Sequence, residues 1–129
     1  MKNLLLLFFA ITTILSCHKK KDSDYGTFKE VKLENLTTGN APQGLEQRDG
    51  TWAPASGWEL VVSKDGQHAI LMQTGTDSSS AGFECKCNEG SGKCKVKSEI
   101  VMCIADECTD CSTVLKIYDR LITVNRTNW

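Results

Sequence analysis

Six cysteines carry the chemistry that this chain advertises. Cys85, Cys87, Cys94, Cys103, Cys108 and Cys111 follow the pattern C-x-C-x6-C-x8-C-x4-C-x2-C. Two chemistries suit such spacing. The sulfurs can pair into three disulfides, which small domains in oxidising compartments use to supplement a limited core. Alternatively, C-x-C and C-x-x-C let two thiolates converge on one soft ion, such as Zn, Cu or an iron-sulfur cluster. Lys86, Lys93, Lys95 and Lys97 lie between them and would lower thiol pKa values if they faced the sulfurs. No histidine lies within the module, and the spacing differs from the paired C-x2-C of a zinc ribbon. The disulfide reading is preferred, with all six as candidates and the connectivity open among 15 possibilities. Metal ligation by the same six is the alternative. A redox role for Cys108-Thr109-Asp110-Cys111 comes third, since no thioredoxin-like pattern surrounds it.

A seventh cysteine stands apart. Cys17 ends a leader that begins Met1-Lys2-Asn3 and is apolar from Leu4 to Leu15 apart from Thr12 and Thr13. That run is short for a bilayer span, which needs about 20 apolar residues, and it reads as a secretory signal. The segment Ile14-Leu15-Ser16-Cys17 resembles the lipobox of bacterial lipoproteins. The resemblance covers the leader only. It implies cleavage after Ser16, a diacylglyceryl group on the Cys17 sulfur and acylation of the new amine. It also implies a lipid bilayer as partner, since two or three chains hold a protein stably where one does not. His18 in the second mature position is similar to an outer-membrane sorting signal. Residues 1–16 are then a signal peptide, 17–27 the lipidated cysteine and a flexible charged tether, and 28–129 the folded domain, with the cysteine-rich module at 83–111.

Other catalytic groupings are sparse. His68 is the one histidine of the expected fold, and it falls inside a strand pattern, where an ordinary strand residue is expected. Asp106, Glu107 and Asp110 lack the ordered ligand spacing of a calcium loop and read as a polar turn. There is no phosphate-cradling glycine loop and no nucleophile elbow. No catalytic residue is assigned, and a non-enzymatic role is expected. The whole chain holds 15 Lys and Arg against 16 Asp and Glu. This near balance argues against nucleic acid, which asks for a basic face. The partner is therefore a protein or small molecule that the residues do not specify.

The elements that must position these groups read as mostly β: a small, β-hairpin-rich single domain with a disulfide-stapled C-terminal half. Helix formers are sparse after the leader, while Thr, Val, Gly and Ser are frequent. Trp58–Ser63 and Gln67–Gln73 form a hairpin about Lys64-Asp65-Gly66. Phe83–Cys87 and Lys93–Lys97 are expected to pair as a second hairpin, with Ile100–Ile104 as a further strand. Val114–Tyr118 and Leu121–Val124 suggest one long strand or a bent pair. A helix is the alternative there, because Leu115, Tyr118 and Ile122 share helical spacing. Thr37–Gly57, with both prolines and four glycines, and Thr74–Gly82 are expected to be irregular. Trp52 and Trp58 are read as core plugs in preference to exposed ligand platforms. Phe28, Val31, Leu33 and Leu36 suggest an N-terminal edge strand or short helix.

Overall fold

The computed structural model describes residues 27–126, and all structural statements below concern these residues. The leader, Cys17, the tether up to Gly26 and Trp129 lie outside them. Nine strands follow in order: β1 (Phe28–Lys32), β2 (Leu45–Arg48), β3 (Thr51–Pro54), β4 (Trp58–Val62), β5 (His68–Gln73), β6 (Ser78–Glu89), β7 (Lys93–Val96), β8 (Cys103–Asp106) and β9 (Asp110–Thr123). A 3-10 turn, Leu33–Asn35, follows β1. The mostly-β expectation is met. No helix among the described residues is long and apolar enough to cross a membrane.

The main sheet is antiparallel and runs β1-β9-β6-β5-β4. Two small two-stranded sheets, β2-β3 and β7-β8, accompany it. The register explains where the core sits, because residues opposite one another share a face. One band joins Val62, Ala69, Phe83, Leu115 and Val31 across all five strands. A second joins Leu60, Leu71, Ala81 and Ile117. Leu36, Leu45, Trp52 and Val101 pack on these bands and close the core. Ala69, Leu71, Ala81 and Leu115 have no measurable exposure.

The β4–β5 hairpin forms as expected. Gly66 takes φ +77°, which a tight turn needs and a side chain resists. Asp65 fastens the turn by accepting from the Ser63 hydroxyl at 2.5 Å and the Gln67 N–H at 2.9 Å. Trp52 is buried, and the Trp58 indole lies half-buried against Gly44, so both act as core plugs.

Other expectations need correction. The second hairpin is not β6 with β7. β5 pairs with β6 only as far as Glu84, whereas β9 follows it as far as Glu89; β7 pairs with β8. The following strand starts at Cys103 and not at Ile100. β9 is one strand of fourteen residues, not a helix, because it lies between β1 and β6 and bonds to both. Thr74–Gly82 is only partly irregular: Ser78 to Gly82 belong to β6, with Ser79 and Ala81 wholly buried. The small side chains at that point suit close packing, since the Tyr118 hydroxyl lies 3.2 Å from where a Cβ on Gly82 would be. Thr37–Gly57 contains the β2–β3 hairpin, turned at Asp49-Gly50 with both residues at positive φ. Thr27, grouped with the tether, is already fastened: its hydroxyl donates to Asp119 at 2.6 Å.

Candidate functional site

The apolar bands of the sheet continue into sulfur. On β6, Phe83, Cys85 and Cys87 alternate onto one face, and on β9 their opposite numbers are Leu115, Thr113 and Cys111. The β7–β8 hairpin lies over this end as a flap. It brings Cys94 from β7, Cys103 from β8 and Cys108 from the turn before β9. Three disulfides join the layers: Cys85–Cys103, Cys87–Cys108 and Cys94–Cys111, with Cα separations of 5.7, 5.9 and 5.9 Å. All six cysteines singled out from the sequence therefore converge, and each bridge ties the flap region to the sheet. Cys108 and Cys111 do not pair with each other, so the C-x-x-C spacing is not a local bridge.

Burial grades across the cluster. Cys85, Cys94 and Cys108 are buried, while Cys87, Cys103 and Cys111 are partly exposed. Apart from Val96, this small core consists of cysteines alone. The Sγ atoms of Cys87, Cys94 and Cys108 lie within 4.8 Å of one another. The Glu89 carbonyl oxygen approaches two of them, at 3.2 Å from Cys87 Sγ and 3.3 Å from Cys108 Sγ. Such a trio has the softness to hold Zn or Cu, but only as thiolates. In the bridged state these sulfurs are committed to one another, so ligation would first require reduction.

Lys86, Lys93, Lys95 and Lys97 are exposed, and Lys95 pairs with Asp106 at 3.3 Å. They form a solvated surface and do not crowd the sulfurs. Of the three acids expected in a polar turn, only Glu107 lies between strands, at φ +64°; Asp106 ends β8 and Asp110 opens β9, accepting from Asn88 at 3.2 Å. His68 stands on β5, about two-fifths exposed, between Asp65 at 3.6 Å and Glu84 at 3.8 Å. The Ser63 hydroxyl accepts from the His68 backbone N–H at 3.1 Å while donating to Asp65. The Asp65 carboxyl is held below its ordinary pKa, chiefly by the Ser63 hydroxyl and then by the Gln67 N–H.

Two surface clefts went unforeseen. One of about 550 Å³ is bordered by Phe28, Val31, Asn40, Ile117, Tyr118 and Asp119. Burial raises the Tyr118 pKa above the usual phenol range. The other, about 460 Å³, is bordered by Lys32, Glu34, Asn88, Asp110, Cys111 and Ser112. Both arise where β1 or the turn after it meets β9, a pairing across some ninety residues of chain that no local spacing signals. Comparison with protein-family models, curated proteins and solved structures finds no match.

Proposed function

We propose that this chain is a lipid-anchored lipoprotein of the bacterial cell envelope, at the outer membrane. Its disulfide-stapled β domain serves binding or structural interaction and not catalysis. One observation carries the reading: the six cysteines of the domain pair off completely, which leaves Cys17 as the odd sulfur at the end of an export-type leader. Three bridges in one small domain suit an oxidising compartment, the kind of place to which such a leader directs a protein. The apolar cleft beside Phe28 and Tyr118 offers a surface for a small molecule or protein segment.

The anchor is tested by Cys17→Ser in the full chain, with fractionation of membranes. The expected result is loss of processing and of membrane attachment; unchanged attachment would overturn the anchor. Intact mass and thiol titration of the protein from its native membrane should show no free thiol among the six.

A second reading, thiolate metal binding, is supported by the proximity of the Cys87, Cys94 and Cys108 sulfurs. Stoichiometric Zn, Cu or Fe in that same preparation, together with free thiols, would place it ahead of the first.

A further inference from the structure

Cys87, Cys94, Cys108 and Cys111 make up two neighbouring bridges, and the sulfurs of Cys87, Cys94 and Cys108 lie within 4.8 Å of one another. The bridges that exist, Cys87–Cys108 and Cys94–Cys111, run between the sheet and the flap region. Taking these four as the corners of a square, the alternative pairs run within each layer. Cys87 and Cys111 are direct register partners on β6 and β9, and opposed strand residues have Cβ atoms about 4.5–5.5 Å apart. On the flap side, a parallel bridge between Lys93 and Glu107 sets Cys94 alongside Cys108. Gly92 permits this approach, since a Cβ there would fall 2.5 Å from the Cys108 nitrogen. The sulfurs of Cys94 and Cys108 accordingly lie within 4.8 Å.

We propose that this square is a thiol-reactive exchange site, at which a low-molecular-weight thiolate switches the pairing to Cys87–Cys111 and Cys94–Cys108. The place of attack is Cys111, which is partly exposed and borders the cleft beside Lys32. The incoming thiolate bonds to the Cys111 sulfur and breaks the Cys94–Cys111 bond, so that Cys94 leaves as a thiolate. Buried next to the second bridge, the Cys94 thiolate bonds to the Cys108 sulfur and expels the Cys87 thiolate. Cys87 then bonds to Cys111, opposite it in the sheet, and the original thiolate departs. Three bonds form and three break, no electrons are gained or lost, and the thiol is returned. Each step is ordinary attack of a thiolate on a disulfide sulfur. The outcome replaces two bridges between layers by one within the sheet and one within the flap region. Cys85–Cys103 remains as the one disulfide from the flap to the sheet. The inference does not depend on the lipid anchor or on the domain's ligand.

The test is disulfide mapping of the purified protein with its bridges intact. It is incubated at mildly alkaline pH with substoichiometric cysteamine, quenched in acid, alkylated and digested without reduction. Lys86, Lys93, Lys95, Asp106 and Asp110 place a site for trypsin or an aspartate-directed protease between every two successive cysteines. Cys87–Cys111 and Cys94–Cys108 should appear together and exceed any non-native pair containing Cys85 or Cys103 by about tenfold, the ratio that about 1.4 kcal/mol produces. Native pairs alone, Cys87–Cys94 or Cys108–Cys111 in comparable yield, or non-native pairs spread evenly over all six cysteines, would overturn the proposal. In a Cys87→Ser/Cys108→Ser variant the relay is cut, and cysteamine should remain as a mixed disulfide on Cys111. An adduct on Cys94 instead would overturn the assigned place of attack. The wild-type map decides alone if that variant fails to fold.

Discussion

Gly44 takes φ +89° directly beneath the Trp58 indole, and a Cβ there would lie 2.1 Å from the ring. Both the backbone conformation and the contact resist a side chain. Gly44→Ala should therefore destabilise the domain by about 2–4 kcal/mol, combining positive-φ strain with overpacking; thermal or urea denaturation checks this. Asp65 carries a different prediction. Its folded-state pKa is depressed, so the unfolded chain binds more protons in the window below the ordinary carboxylate value. The resulting stabilisation is complete above about pH 4 and is lost as pH falls through the folded value. Wild type should thus exceed Asp65→Asn in stability at neutral pH, and the gap should close on acidification, as denaturation at a series of pH values would show. The Asp-Gly turn was legible because its local chemistry is self-contained. Gly44 was not, since its role comes from an indole fourteen positions away that only the folded chain brings near.

Strand β7 shows how an element's partner escapes a local reading. Its distance from β6 suits a hairpin, but the Cys85–Glu89 end of β6 pairs with β9. β7 pairs with β8 instead, and the bridges of Cys94 and Cys103 set that pair over the sheet. Placed there, the flap packs through Val96 and the cysteines, and its loop sends Val101 into the main apolar core. The bridges supplement that contact. Cys85→Ala/Cys103→Ala, which removes a bridge between residues 18 apart, should cost about 2–5 kcal/mol in stability by denaturant titration. A cost near zero would mean that strand pairing alone seats the flap. The alternation of Phe83, Cys85 and Cys87 onto one face was readable from the sequence, whereas the choice among pairings was not. It depends on β9 lying beside β6 and presenting Cys111 opposite Cys87.

Across the whole molecule, one face of the sheet divides into an apolar half under Trp52, Leu36 and Leu45 and a cystine half under the flap. The two halves should respond differently to reduction. Hydrogen exchange after full reduction should rise across residues 93–97 and 103–106 while amides of Ile70, Leu71 and Leu115 stay protected, because their shelter is hydrophobic burial. Loss of protection throughout would show that the bridges hold both halves together. The connectivity has a consequence in time as well. In chain order the first cysteine of the domain bonds to the fourth, the second to the fifth and the third to the sixth. Synthesis runs from the N-terminus, so Cys85, Cys87 and Cys94 all emerge before any of their eventual partners. Every bond made among these early arrivals is a wrong one, to be undone once Cys103, Cys108 and Cys111 follow. The reduced domain should therefore regain its native bridges in higher yield with a thiol–disulfide couple, which breaks bonds as well as making them, than with an oxidant alone.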